Sequence, residues 1–454
     1  MVEKKKQKGS ISAFQLFLTG GALFSMHFGA SSMVWPMNWG KESGTSVIPA
    51  FFGAFITSLL LVLIAYIALS KGNGSYNKLT NKVLGKKLGN FYTILTIAIL
   101  GPLYAIPRMS AAAWDSVVQA FGLNPENKIP LIIFTVVFYV ITYFFLMNPG
   151  KAMDKISSLL FPFLLVIVVL IVGKGFMYPI SEPIEKVYEE SAFAYGFTNG
   201  YATAEILCAL IFGIVIVNNL ENKGVDKENL TPNMIKVGVI GLAMLTCTHF
   251  AHMWIGAHTG TVYKDLNYTA LYTAVSANLY GKVGGILFSL ALLFAALTTA
   301  IGMTSGCAEF FVDASDGKYN YKQASIAILV LSVIFGCLGL SSMLSILGPI
   351  LDGIYPAAIV LVVFYALSPD SNSEKHLNGC RYSMYSAMVF GIIDMLWKYM
   401  LKLNVNPLGI VEFYEKIPFA KVSLVWIPWA IIFLIIGIVT YKETDEKVRY
   451  IRIN

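Results

Sequence analysis

Two stretches of this sequence place small and polar residues inside runs that are otherwise apolar. One reads Ser25-Met26-His27-Phe28-Gly29-Ala30-Ser31-Ser32 and is followed by Trp35-Pro36; the other reads Tyr195-Gly196-Phe197-Thr198-Asn199-Gly200-Tyr201-Ala202-Thr203-Ala204-Glu205. Irregular backbone at the depth of a bilayer survives only where protein buries it or a polar cavity adjoins it. An unwound segment frees N–H groups at the start of one half-helix, where the dipole is positive and a carboxylate binds, and frees carbonyls at the end of the other, which can coordinate Na⁺. One such site holds a zwitterion and a cation together. The competing reading is that Gly and Ser merely let helices pack closely.

Three further groups carry potential chemistry. Thr298 and Thr299 sit on the small-residue run from Ala295 to Ala308, and their oxygens suit a hard cation, although such hydroxyls often bond back to their own helix. Arg108 and Asp115 are seven residues apart and share a helical face, a spacing that reads as a structural ion pair or, second, as a substrate contact. Glu205 beside the second break reads as a cation contact or protonatable gate, with a structural cap on free N–H groups as the alternative. His249 and His252 are three apart on one face and are expected to be packed rather than metal-bound, and His27 carries no ligand signal of its own. The five cysteines are scattered without CxxC spacing, which speaks against a disulfide framework or zinc site.

The elements that position these residues are membrane helices. Apolar residues make up 56% of the chain and charged residues 13%, with mean hydropathy +0.67, whereas soluble domains carry about 25% charged residues. Runs free of Asp, Glu, Lys and Arg, such as 43–70, 129–150 and 283–308, reach the roughly 20 residues needed to cross a bilayer. Spans are expected near 14–39, 46–70, 90–121, 129–147, 154–175, 193–218, 233–256, 283–310, 323–341, 344–367, 382–402 and 422–441, an all-α polytopic chain of about twelve helices. Lys4, Lys5, Lys6 and Lys8 precede a first run too long for a signal peptide, which is therefore read as a retained helix. Most Lys and Arg fall where both termini are cytoplasmic in a multi-pass cell-membrane protein. The net charge of +7 then reflects topology and lipid contact, with no nucleic-acid partner expected.

Two interrupted helices five spans apart point to inverted five-helix repeats, about 12–176 and 192–367, followed by two additional helices within 382–441, all in one transport domain over residues 1–454. At this level the chain resembles a known family. Gly101-Pro102-Leu103-Tyr104-Ala105-Ile106-Pro107-Arg108, Asn148-Pro149-Gly150-Lys151, Gly196-Phe197-Thr198-Asn199-Gly200-Tyr201, Ile211 to Asn218, Cys307-Ala308-Glu309-Phe310-Phe311 and Ile354-Tyr355-Pro356 are similar, in order, to motifs of the bacterial branched-chain amino acid:cation symporters, the BrnQ family. The resemblance implies uptake of leucine, isoleucine or valine with Na⁺ or H⁺, in the LeuT-like fold with helices 1 and 6 broken, and no enzyme activity or cofactor beyond the coupling ion. It implies a substrate carboxylate on the backbone of Gly29, Ala30 and Ser31 near Tyr104, an ammonium at carbonyls of Asn199, Gly200 and Tyr201, and an apolar side chain among Ile106, Ile206, Leu297 and Ile301. It further implies Na⁺ at carbonyls of Ser25, Phe28 and Ala295 and hydroxyls of Thr298 and Thr299. Two departures stand out: Gly29-Ala30-Ser31-Ser32 replaces the family's Gly-Ala-Gly-Asn, and Glu205 replaces its Asp. A transporter of the same fold for another small zwitterion or an aromatic amino acid is the alternative; a membrane enzyme or channel fits less well, since no catalytic cluster or charged ring is evident.

Overall fold

The computed structural model describes residues 11–124, 127–147, 151–315 and 317–442, so that the N-terminal lysines and the Asn148-Pro149-Gly150 motif lie outside the described residues. Every regular element among them is helical. In chain order these are α1 (Ala13–His27), α2 (Ala30–Ser43), α3 (Val47–Ala54), α4 (Leu61–Ser70), α5 (Tyr76–Leu84), α6 (Lys86–Ala98), α7 (Ile106–Phe121), α8 (Lys128–Leu146), α9 (Ala152–Lys155), α10 (Phe161–Met177), α11 (Ala192–Ala202), α12 (Glu205–Asn222), α13 (Lys227–Ala257), α14 (Tyr268–Tyr280), α15 (Lys282–Ala314), α16 (Tyr321–Gly336), α17 (Leu340–Leu367), α18 (Glu374–Leu403), α19 (Ile410–Glu415) and α20 (Trp426–Val439). Eight helical runs are long and apolar enough to cross a membrane: 30–70, 86–121, 128–146, 152–177, 205–222, 227–257, 282–314 and 346–367.

Each of the twelve expected segments is helical, and the difference from eight has physical causes. The first segment is interrupted after His27, which leaves α1 with only 15 residues, whereas the sixth, also interrupted, is still represented by α12. α16 and α20 are apolar but have only 16 and 14 residues, and α18 carries charged and polar residues through its 30 positions. Three runs pass through π-helical turns, Phe55–Leu60, Ile99–Ala105 and Ile156–Leu160. The second contains Pro102, which lacks an N–H to donate and so favours a widened turn.

The chain forms two compact units: Met1–Tyr76 with Ile94–Leu347, and Asn77–Thr93 with Gly348–Asn454. In the first, α1 and α2 pack on α13, α11 packs on α3, and α12 packs on α4 and α15, while α7, α8, α15 and α16 pack on one another. Two approaches depend on glycine. A Cβ on Gly40 would stand 1.8 Å from the Met253 carbonyl oxygen, and one on Gly256 would stand 1.9 Å from that of Met37, so α2 and α13 touch backbone to backbone. Away from these seams, α8 turns Ile129, Ile133, Val136, Val140 and Phe144 outward and Leu131, Phe138, Tyr139 and Phe145 inward, so that one face of the helix is packed and the other is an exposed apolar surface. In the second unit α18 packs on α20, and Lys398 pairs with Asp352 at 2.9 Å.

Candidate functional site

The helix that begins at Ala13 is started by a capping box: the Ser12 hydroxyl accepts from the Gln15 N–H at 3.2 Å, and the Gln15 side chain accepts from the Ser12 N–H. It ends at His27. Phe28 leaves helical geometry, Gly29 is extended with φ −78° and ψ −174°, and α2 restarts at Ala30 with no side-chain cap on its first amides. The second interruption is sharper. Ala204 adopts φ 54° and ψ 31°, left-handed for a residue with a Cβ, which costs about 1–2 kcal/mol and must be held by its surroundings.

Glu205, the first residue of α12, joins the two interruptions. Its Oε1 accepts from the Ser32 hydroxyl at 2.6 Å and its Oε2 lies 3.0 Å from His27 Nδ1. His27 Nε2 is 2.6 Å from the Tyr66 hydroxyl on α4. An ionised carboxylate can only accept, so with Glu205 ionised Nδ1 carries the ring hydrogen and Nε2 accepts from Tyr66. His27, Tyr66 and Glu205 are all buried. A carboxylate in such a place is tolerable only with its oxygens satisfied, and both are. His249 and Cys208 also lie close enough for electrostatic interaction with Glu205. Sequence reasoning missed His27, because a lone histidine in an apolar run has no spacing partner; the only signal was its position two residues before the glycine break.

On α15, the Thr298 hydroxyl lies 2.6 Å from the Ser25 carbonyl oxygen and 2.9 Å from that of Ala295. The Thr299 hydroxyl donates to the Met26 carbonyl at 2.7 Å. At the α1–α15 contact the Thr298 hydroxyl thus meets the carbonyls of Ser25 and Ala295, while the neighbouring Thr299 hydroxyl goes to Met26. Gly29 is fixed here as well: a Cβ would fall 2.7 Å from the Thr299 hydroxyl oxygen.

A cavity of about 300 Å³ opens beside the start of α2, and Ala30, Ser31, Trp35, Arg108, Asp115 and Tyr268 are among its lining. The expected Arg108–Asp115 ion pair is not formed: the ion pairs among the described residues are His27–Glu205, Lys223–Asp154 and Lys398–Asp352. Seven residues rise about 10 Å along a helix, too far for the two heads to meet over one face. Arg108 Nη1 donates instead to the Tyr104 hydroxyl at 3.1 Å, and its guanidinium stands over the rings of Tyr104 and Trp35 at 4.8 and 5.8 Å. Asp115 faces Thr269.

The expected carbonyl seat at Asn199, Gly200 and Tyr201 also differs. Those residues remain inside α11, with the break at Thr203 and Ala204. The Gly200 carbonyl accepts from the Thr203 hydroxyl at 2.7 Å and the Tyr201 carbonyl from the Ala204 N–H at 3.2 Å. Gly196 and Gly200 do packing work, since Cβ atoms there would meet the Ala50 carbonyl oxygen at 1.8 Å and the Thr57 hydroxyl at 2.4 Å. Ile106, Ile206, Leu297 and Ile301 are buried, but none of them lines the cavity, which Ala30 and Ser31 reach and Tyr104 touches only through Arg108.

With this geometry in view, the comparisons are specific. The sequence profile of the family described as Branched-chain amino acid transport protein matches residues 12–444. A branched-chain amino acid transport system 2 carrier protein of Pseudomonas aeruginosa is 29% identical, covering 94% of this chain and 96% of its own. The branched-chain amino acid permease BraB of Bacillus subtilis is 30% identical, covering 78% and 80%. Among solved structures, a nucleobase-cation-symport-1 family transporter, closed around bromovinylhydantoin, superposes with a TM-score of 0.58 at 12% identity over 97% of this chain and 96% of that one, a likeness of fold. The long match, the shared fold and the interrupted helices agree, and the chain belongs to the branched-chain amino acid transport protein family.

Proposed function

We propose that the chain is a secondary transporter that carries leucine, isoleucine or valine into the cell together with Na⁺ by alternating access. Family membership supports the cargo. The observation that carries the coupling is the α1–α15 contact, where the Thr298 and Thr299 hydroxyls meet carbonyls one residue apart at the end of a broken helix. In this reading Na⁺ takes the carbonyls of Ser25, Phe28 and Ala295 and the hydroxyls of Thr298 and Thr299, neutral oxygens that suit a single positive charge. Ion binding ties α15 to α1 and favours the substrate-ready state, by no more than the ion's differential affinity for the two states. The substrate lies at the start of α2, with its carboxylate on the amides of Gly29, Ala30 and Ser31 near Tyr104. The reading extends to twelve spans with broken helices 1 and 6, inverted five-helix repeats, and both termini in the cytoplasm of a cell-membrane protein surrounded by lipid.

Proteoliposome uptake of labelled leucine with and without an inward Na⁺ gradient tests it. Thr298→Val and Thr299→Val keep bulk and remove one oxygen each, and each is expected to raise the Na⁺ concentration for half-maximal uptake by about tenfold, as loss of one ligand oxygen worth about 1.4 kcal/mol would. Unchanged Na⁺ activation in both, or full uptake on a proton gradient without sodium, would remove Na⁺ from the reading and leave the amino acid carrier.

A further inference from the structure

We propose that Arg108 is the side chain that binds the substrate's carboxylate, acting with the amides that open α2 at Ala30 and Ser31. The inference rests on the amino acid carrier reading and deepens it, by placing a fixed positive charge at a seat otherwise built from backbone alone.

Three observations converge. Arg108 is 8% exposed, and among the described residues no carboxylate lies within ion-pair distance of it. A buried guanidinium without a counter-ion is costly unless an anion completes it in use. Second, its donors are only partly used: Nη1 reaches the Tyr104 hydroxyl, while the buried Nε has no hydrogen-bond partner. The rings of Trp35 and Tyr104 stand within 5.8 and 4.8 Å of the guanidinium carbon, and the N–H donors not used by Tyr104 are of the kind that grip a carboxylate in pairs. Third, Arg108 lines the same cavity as Ala30 and Ser31, the first residues of the 14-residue helix α2, whose N–H groups are uncapped by any side chain. A helix N-terminus and an unpaired guanidinium thus face one small volume, and both attract negative charge.

The cavity also tells the ligand's orientation. Asp115 lines it about two turns further along α7, so opposite charges stand at its two ends. A zwitterion entering it is drawn carboxylate toward Arg108 and ammonium toward Asp115. The class of ligand is therefore an amino acid with a free α-carboxylate. Amides and decarboxylated amines of the same side chain present nothing for the guanidinium to hold.

The test compares leucine, leucinamide and isopentylamine as competitors of labelled leucine, in proteoliposomes holding the full-length protein, for wild type, Arg108→Lys and Arg108→Gln. Wild type is expected to prefer leucine over leucinamide by about tenfold or more, and Arg108→Gln to raise the KM for leucine by about tenfold while shrinking that preference to about threefold or less, as loss of a charge-assisted contact implies. Arg108→Lys keeps the charge without the fork and is expected to fall between. A purely structural arginine predicts less folded protein with the leucine-to-leucinamide preference unchanged, and that result overturns the proposal. If the variants do not fold, the wild type alone decides, since leucinamide competing as well as leucine overturns it. Replacing chloride with gluconate separates the two sources of negative charge: leucine affinity that holds in gluconate supports a carboxylate on Arg108, and affinity that collapses assigns the site to an inorganic anion. Absence of leucine uptake by wild type in Na⁺ would strike the carrier reading itself, and is seen before any variant is made.

Discussion

Glu205 holds two helices with two oxygens, and a shorter side chain cannot do both. Glu205→Asp withdraws the carboxylate by one methylene, so one of the contacts to Ser32 and His27 is expected to open. Loss of one such bond at a buried charge costs about 1.5–3 kcal/mol, to be read as a lower midpoint in thermal unfolding of the purified protein. Glu205→Gln keeps the reach and removes the charge; it is expected to unfold at a temperature closer to wild type than Glu205→Asp does, and the reverse order would show that charge outweighs reach. The residue scale also marks where sequence reading ended. Glu205 was legible because a lone carboxylate beside a break must be held by something. Its partner His27 was not, because the two are 178 residues apart and only the fold brings them together. Arg108 and Asp115 were legible as charges sharing one face, but the axial rise between them forbids the pair that their sequence spacing suggested.

Interrupted helices were readable from clusters of Gly, Ser and Asn, yet the clusters did not mark the break equally well. In the first, the glycine is the break. In the second, Gly196 and Gly200 are consumed by contact with α3, and the chain turns at Ala204, a residue with no propensity for it. Small residues serve both ends, close approach and unwinding, and composition does not separate them. The α2–α13 seam gives an element-scale prediction. Gly40→Ala sets a methyl 1.8 Å from the Met253 carbonyl oxygen, a backbone atom that cannot rotate away. Overpacking of this kind costs typically about 1–3 kcal/mol or more. Folded, monodisperse protein after detergent extraction is expected to fall sharply, whereas Gly224→Ser, at a position open to any side chain in space though strained by its φ of 81°, is expected to cost far less. Equal yields of the two would mean that α2 and α13 are not held by backbone contact.

Across the whole chain, hydropathy marked segments that are helical, eight of whose runs among the described residues are long and apolar enough to cross a membrane, but it could not say which runs are divided or bent. The sidedness proposed from the lysine and arginine distribution can be measured. In a variant without its five native cysteines, a cysteine at Glu185, in the segment between α10 and α11, is expected to react with a membrane-impermeant maleimide added to intact cells. One at Gly224, between α12 and α13, is expected to react only after permeabilisation. Labelling of Gly224→Cys from outside would invert the proposed topology.

Lys41, near the far end of α2, is nearly buried, and its ammonium donates to the carbonyls of Lys264 and Leu266 and to the Asn267 side chain, at 3.2, 2.7 and 2.7 Å. Asn267 and Tyr268 line the same cavity whose floor is formed by the first residues of α2. The helix, some 20 Å long, thus carries the proposed carboxylate seat at one end and the Lys41 attachment to residues 264–267 near the other. If leucine sits at the start of α2 as proposed, a shift of that end is expected to be passed to the segment held by Lys41, and amide exchange at residues 264–266, which do not line the cavity, is expected to slow when leucine binds.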